Sequence, residues 1–75
     1  MMSCYACKIS IVNAFITKDG RNLIMECVVD DGKQKHVATF WENPDNFQDV
    51  INDHIDKFNA ECIKVNYQYR ITRRL

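Results

Sequence analysis

Two of the four cysteines stand close together near the start of the chain, in the order Cys4-Tyr5-Ala6-Cys7. Two thiolates at this spacing can supply half of a tetrahedral zinc site when they lie in one turn. The other two ligands would have to come from the remaining cysteines and histidines, namely Cys27, His36, His54 and Cys62. These residues contain no second close pair, which weakens the evidence for a zinc site. A zinc-stabilised binding module using Cys4 and Cys7 is therefore kept as an alternative and not as the main hypothesis. The main expectation is four reduced thiols and no cofactor.

Neither histidine belongs to a catalytic constellation. His54 falls among apolar residues of a helical pattern, which favours a core or interface position. His36 directly follows Lys35, close to Lys33, and is expected to be a solvated strand residue. Both glycines fall in predicted hairpin turns, so no glycine-rich phosphate-binding loop can form. We therefore expect a binding protein and not an enzyme.

Acidic residues are concentrated in the middle of the chain. The whole chain has ten acidic and ten basic residues and no net charge, whereas residues 42–61 contain six acids and one lysine. Four of these acids recur at helical spacing: Asp45, Asp49, Asp53 and Asp56. On a helix they would form one acidic stripe, which is either an ordinary solvated face or a docking site for a basic partner.

The C-terminal segment is basic instead. No acid follows Glu61, and the bases there are Lys64, Arg70, Arg73 and Arg74. Two tyrosines alternate with them, so this strand could contact phosphates and stack on bases. Single-stranded nucleic-acid binding is a second alternative, although zero net charge gives no general attraction to a polyanion.

Three strands joined by hairpin turns are predicted in the first half of the chain. β-Branched and aromatic residues dominate residues 8–17, 22–29 and 34–41. The segments 18–21 and 30–33 separate these strands, and each contains an Asp-Gly step that supplies the positive φ of a tight turn.

The hydrophobic period then changes from two to that of a helix. Asn43 suits a helix N-cap and Pro44 the first helical position. The apolar residues that follow are Phe47, Val50, Ile51, Ile55 and Phe58, and they predict an amphipathic helix of about sixteen residues. Apolar and polar residues alternate from 63 to 72, which predicts a last strand. A frayed basic tail is expected at residues 73–75.

These elements predict one small α+β domain spanning residues 1–75, with an N-terminal segment at residues 1–7 and the order βββαβ. The helical crossover makes the fourth strand parallel to the first, so we expect a four-stranded mixed sheet of order 3-2-1-4 with the helix on one face. The β-β-β-α run resembles the first part of an OB-fold, in which a helix follows the third strand, but the fifth strand of that fold is missing here.

One helix of about 10 Å width leaves much of such a sheet uncovered. The face away from the helix would carry apolar side chains, namely Val12, Ile16, Ile24 and Val28. A contiguous apolar patch usually marks an interface, so we expect a homodimer or a protein partner there. The alternative is a sheet that curls and buries both of its faces.

The expected location is the cytoplasm. No apolar run reaches the ~18 residues of a membrane span, and the first residues lack the basic and apolar regions of a signal peptide. The main functional hypothesis is a small cytosolic protein-binding regulator or inhibitor, of the kind frequent among phage and mobile-element accessory proteins. It would act through the acidic stripe or the uncovered sheet face.

Overall fold

The computed structural model describes residues 3–75, and within them five strands and one short helix follow one another. The strands are β1 (Cys4–Ile16), β2 (Leu23–Asp30), β3 (Lys35–Glu42), β4 (Lys57–Val65) and β5 (Gln68–Arg74). A 3-10 turn (Pro44–Phe47) leads into helix α1 (Gln48–Asn52) between β3 and β4. Neighbouring strands pair antiparallel in one sheet of order β3-β2-β1-β4-β5. The chain is thus a small compact α+β domain built on a curled antiparallel sheet.

The first three strands lie close to where the sequence predicts them, because both connecting turns have the chemistry that their geometry requires. Gly20 (φ 73°) and Gly32 (φ 90°) adopt the left-handed conformation that residues with a Cβ avoid. In the second turn Asp31 Oδ1 accepts hydrogen bonds from the backbone N–H groups of Lys33 and Gln34, each at 2.9 Å. β1 begins four residues earlier than predicted, since residues 4–10 pair with β4.

The predicted sixteen-residue helix is wrong. Its cap forms as expected, with Asn43 Oδ1 accepting a hydrogen bond from the Asp45 N–H at 3.0 Å. The helix nevertheless ends at Asn52, and His54 is exposed with a φ of +54° instead of lying on a buried helical face. Residues 57–63 pair with β1 and bury Ala60 completely. Strand pairing with β1 and burial of Ala60 therefore outweigh the helical spacing of the apolar residues, because that part of the chain contains residues of modest helix propensity.

The predicted last strand is a hairpin. Its alternating pattern is interrupted at Asn66 and Tyr67, which have φ values of +50° and +65° and connect β4 to β5. A turn with two residues at positive φ matches the right-handed twist of the flanking strands. β4 consequently runs antiparallel to β1 and a fifth strand follows, so the mixed four-stranded sheet and the order βββαβ are wrong in detail.

Arg74 anchors the helical segment to the sheet. Its guanidinium carbon lies 4.8 Å from the ring centroid of Phe47 and 4.7 Å from that of Phe58. Its two terminal nitrogens donate to both carboxylate oxygens of Asp49, which lowers the pKa of that carboxyl. Residues 73–75 are therefore not a frayed tail: two belong to β5, and the Leu75 N–H donates to the Asn59 carbonyl at 2.8 Å.

The core lies inside the curl of the sheet. All five strands contribute buried side chains, and Phe47 and Val50 of the helical segment pack against them. β3 and β5, the two edges of the sheet, come close to each other as it curls. The inner face is thus buried by the sheet itself and by the helical segment, whereas no element of the described residues lies over the outer face of β1, β2 and β3. Residues 3–75 include no helix long and apolar enough to cross a membrane.

Candidate binding face

A row of three large apolar side chains crosses the outer face of β1, β2 and β3. Phe15, Ile24 and Trp41 lie opposite one another in the strand register, and directly opposed residues of antiparallel strands share a face. Phe15 is 47% exposed and Trp41 is 63% exposed, whereas Ile24 between them is buried. The row therefore presents two aromatic rings to solvent, one on each side of a covered isoleucine.

A β-bulge in β1 determines which residues join this row. The register of β1 against β2 shifts between Ile11 and Asn13, and the residue between them, Val12, is exposed. An inserted residue reverses the faces of everything that follows it in the strand. Beyond the bulge Phe15 therefore lies on the outer face and Ile16 on the inner one.

The predicted uncovered face is consequently only partly assembled. Ile24 and Val28 share the outer face of β2, as expected. Ile16 lies opposite the core residue Leu23, so it belongs to the inner side, although it is partly exposed at the end of the sheet. Val12 is the extra residue of the bulge and is exposed. A strict period of two cannot reveal this arrangement, because the bulge changes the phase within β1.

Three lysines surround a groove at the other end of the same face. Lys8 and Lys35 lie on either side of Asp30 in one register row, and Lys57 lies opposite Ser10 in the next. The groove between them has a volume of about 380 Å³. None of the three lysines forms an ion pair within residues 3–75. These positive charges are therefore available to a ligand.

The acidic residues are concentrated in residues 42–61, which run from the end of β3 through α1 into β4. Residues 42–61 carry a net charge of −5, from six acids and one base, and the remaining residues carry +5, from nine bases and four acids.

The lysine groove and the aromatic row are six residues apart along β2, which corresponds to about 20 Å. The outer face is thus a strip with positive charge at one end and aromatic rings at the other.

The four acids of the predicted stripe do not share one helical face. Asp45 lies in the 3-10 turn, Asp49 in α1, Asp53 directly after α1, and Asp56 in the connection to β4. A single stripe would require the helix to continue to residue 56, four residues beyond its end. Asp49 is in addition neutralised by Arg74. The acids therefore give the segment a negative charge without forming a continuous helical surface.

The four predicted nucleic-acid-binding bases are also dispersed. Arg74 turns inwards to Asp49, and Arg73 forms an ion pair with Glu61 at 2.6 Å. The ammonium group of Lys64 lies 5.5 Å from the centroid of the Tyr69 ring. Arg70 is exposed and forms no ion pair in the described part of the chain. Only one of these four bases is thus left without a partner at the surface.

Cys4 and Cys7 lie on opposite faces of β1, because their offset of three is odd and strand side chains alternate. Cys4 is exposed, whereas Cys7, Cys27 and Cys62 are buried in the core. Burial raises the pKa of Cys27 to about 11 and that of Cys62 to about 12. Of the residues that the structure describes, no three metal-ligating side chains cluster. The fold therefore does not bring together the pair on which the zinc alternative depends.

A polar cluster that the sequence did not predict joins the β2–β3 turn to β5. The Tyr69 hydroxyl donates to Asp31 Oδ2 at 2.9 Å, and His36 Nε2 lies 3.4 Å from the same oxygen. The pKa of Asp31 is held well below its usual range, mainly by hydrogen bonds from the backbone N–H groups of Gln34 and Lys33. The hydrogen bond from the Tyr69 hydroxyl makes a smaller contribution. Burial, together with the bond to Asp31, raises the pKa of Tyr69. Asp31 and Tyr69 are 38 positions apart, so only the curl of the sheet brings them together.

Comparisons of this chain with protein-family models, with curated proteins and with solved structures find no match. The side chains of the outer face are therefore the main basis for inferring what the protein binds. They combine exposed aromatic rings on β1 and β3 with lysines of β1, β3 and β4 that form no ion pair among the described residues.

Proposed function

We propose that the protein binds single-stranded nucleic acid through the outer face of β1, β2 and β3 and the adjoining start of β4. The observation that carries this proposal is that exposed Phe15 and Trp41 share one face with unpaired Lys8, Lys35 and Lys57. Lysines bind backbone phosphates, and aromatic rings stack on bases of any sequence. A strip of about 20 Å that offers both is suited to an extended strand of a few nucleotides.

The order of the elements supports this proposal. Three strands are followed by a helix and two further strands. The five strands form one curled sheet, in which β1 pairs with both β2 and β4. This arrangement resembles the OB-fold, a partly open five-stranded barrel whose second and third strands bind oligonucleotides and oligosaccharides. Since one fold can serve many functions, the likeness adds to the side-chain evidence and does not replace it.

The face favours single strands over duplexes. Stacking on Phe15 or Trp41 requires a base whose flat surface is free, as in a single strand. Duplex binding without base contacts depends on neutralising phosphates. Glu26 and Asp30 lie on the same strip as the lysines, so the net positive charge there is small. We therefore expect the affinity for a short single strand to exceed that for a duplex of the same length.

Trp41 provides a direct measurement, because it is the single tryptophan of the chain. Adding a short oligothymidylate at low salt should quench the Trp41 emission as a base stacks on the ring. Phe15→Ala should weaken binding by about 1–3 kcal/mol, the usual contribution of one stacked base. A short duplex should quench Trp41 much less.

A matched pair of lysine variants separates this face from the basic strand of the sequence-based hypothesis. Lys8→Gln removes a charge from the lysine groove, whereas Lys64→Gln removes the same charge from β4 beside Tyr69. We expect Lys8→Gln to weaken oligothymidylate binding and Lys64→Gln to leave it nearly unchanged. Unquenched Trp41 emission, or equal losses in the two variants, would contradict the proposed site.

The same face supports a second function, the binding of a protein. Val37 is 87% exposed on this face, and Val12, the bulge residue of β1, is 73% exposed. Together with Phe15 and Trp41 they expose four large apolar side chains. Such surfaces mark interfaces, and tryptophan is enriched at their energetic centres. In this case the protein would be a small regulator or inhibitor, or a homodimer joined through this face.

The solution mass distinguishes these two functions. A concentration-dependent dimer that Trp41→Ala abolishes, without any binding of oligothymidylate, would favour the protein interface. A monomer across the dilution series that binds oligothymidylate would favour the nucleic-acid site.

A further inference from the structure

Positive charge on the outer face is concentrated at one end of the strip. The three lysines of the groove form no ion pair in residues 3–75 and lie around one cavity. The register row between this groove and the aromatic row consists of Thr39, Glu26 and Asn13, so the middle of the strip has an acid and no base. A strand bound along the strip would therefore meet cations at its end and not along its length.

The strip itself ends at the lysine groove. β2 ends at Asp30 and β3 begins at Lys35, and both residues line the groove. β1 and β4 continue beyond it, where their next pair on this face is Ala6 and Glu61. That pair adds no free cation, because Glu61 is ion-paired with Arg73. A single strand lying along β2 and β3 therefore either ends in the groove or leaves the face there.

The groove carries more positive charge than an internal phosphate requires. Its three lysines and Asp30 give a net charge of +2, from three bases and one acid, and Ser10 and Asn59 add a hydroxyl and an amide that can donate hydrogen bonds. Asp30 Oδ1 accepts a hydrogen bond from the Gly32 N–H at 2.9 Å, so one of its two oxygens is engaged by the turn. An internal phosphate diester has one negative charge, whereas a phosphate monoester has nearly two and three acceptor oxygens. A monoester therefore matches the groove better.

We propose that the lysine groove binds the phosphate monoester at the end of a single strand, so that the protein recognises phosphorylated strand ends. The terminal phosphate lies among Lys8, Lys35 and Lys57, and the bases that follow extend along β2 towards Phe15 and Trp41. This inference rests on the proposed nucleic-acid function and adds to it which part of the strand the groove selects. A strand without a terminal phosphate places a diester in the groove and binds more weakly.

The test compares short oligothymidylates of equal length that carry a phosphate at the 5′ end, at the 3′ end or at neither end. Quenching of Trp41 gives the affinity of the full chain for each one at the same salt concentration. A strand has a direction, and we expect it to lie on the strip in one direction only. A phosphate at one end should therefore strengthen binding at least about tenfold, and a phosphate at the other end less than about threefold.

Two lysines of β4 provide a matched pair of variants. Lys57→Gln removes a charge from the groove, whereas Lys64→Gln removes the same charge from beside Tyr69. We expect Lys57→Gln to reduce the preference for the phosphorylated end to about threefold or less, and Lys64→Gln to retain it. The readout is the ratio of the affinities for the phosphorylated and unphosphorylated strands, because a folding defect would weaken the binding of both alike.

The outcomes distinguish this inference from the function on which it rests. If none of the oligothymidylates quenches Trp41, the proposed function is wrong and the terminal-phosphate site falls with it. If the strands quench Trp41 but bind equally well, or if a phosphate at either end helps equally, only the terminal-phosphate site is overturned. It is also overturned if Lys57→Gln keeps the same preference as Lys64→Gln, because the phosphate then binds outside the groove.

Discussion

The two terminal nitrogens of Arg74 donate to the two carboxylate oxygens of Asp49 at 2.8 and 2.7 Å. The sequence pattern places Asp49 on an acidic protein-docking stripe and Arg74 on a nucleic-acid-binding strand. The structure joins them, and Arg74 also lies over two phenylalanine rings. Both side chains therefore serve mainly to hold α1 against the sheet, which leaves the outer face as the surface available to a ligand.

Replacing Arg74 by methionine should lower the free energy of unfolding by about 1–2 kcal/mol, because a charge-assisted hydrogen-bonded pair is lost. The expected loss is modest because 25% of the Arg74 side chain and 36% of the Asp49 side chain are exposed. Urea unfolding measures the change. Arg73→Met is the matched control and should cost about 0–1 kcal/mol, since its ion pair with Glu61 lies at the surface. Equal losses in both variants would show that Arg74 is not an anchor.

The low pKa of Asp31 should make stability depend on pH in the acid range. An unfolded aspartate titrates near pH ~3.9, whereas backbone and Tyr69 hydrogen bonds hold the folded carboxyl lower. This contribution is therefore present above about pH 4 and is lost as the pH falls through the folded pKa. Asp31→Asn should flatten the acid side of the stability profile measured by urea unfolding. An unchanged slope in Asp31→Asn would contradict the assignment.

The strained hairpin turn should become more stable when Tyr67 is replaced by glycine. Asn66 and Tyr67 both have positive φ, and a side chain in this conformation costs about 1–2 kcal/mol, partly offset by the greater chain entropy of glycine. We expect a net gain of about 0.5–1 kcal/mol in thermal or urea unfolding. Tyr67→Ala removes the ring but keeps the strain, so it should give no gain. A stabilised alanine variant would point to the ring and not to the backbone.

Salt dependence should separate the two ends of the outer face. The logarithm of the binding constant for a single strand falls with the logarithm of the salt concentration, with a slope of about −0.7 for each neutralised phosphate. Lys8→Gln should therefore reduce the slope by about 0.7. Trp41→Ala should weaken binding and leave the slope unchanged, because it removes stacking only. An unchanged slope in Lys8→Gln, or a reduced slope in Trp41→Ala, would argue against the proposed strip.

The four thiols should differ sharply in reactivity. Cys4 is exposed, whereas burial raises the pKa values of Cys7, Cys27 and Cys62 and restricts access to their sulfur atoms. A thiol reagent should modify one cysteine of the folded protein quickly and the other three only in denaturant. Cys4→Ser should remove the fast phase. Rapid modification of Cys7 together with Cys4 would place both in one exposed segment, as the zinc alternative requires.

Local chemistry explains the part of the fold that could be predicted from the sequence. The Asp-Gly turns at Gly20 and Gly32, the three strands that they connect, and the cap at Asn43 all appear where the sequence predicts them. Each depends on residues within a few positions of one another. The hairpin at Asn66 and Tyr67 could not be predicted in this way, because it lacks glycine and lies inside an alternating pattern.

Tertiary structure decided the features that involve distant residues. Residues 57–63 form a strand because they pair with β1, and this pairing contributes the buried residues Ala60 and Cys62. The bulge at Val12 selects Phe15 for the outer face, and the curl brings Asp31 to Tyr69. The sequence by itself determined the composition, the turns and the three-stranded first half. The strand order and the exposed aromatic row depend on burial and pairing across the whole chain, which no local pattern contains.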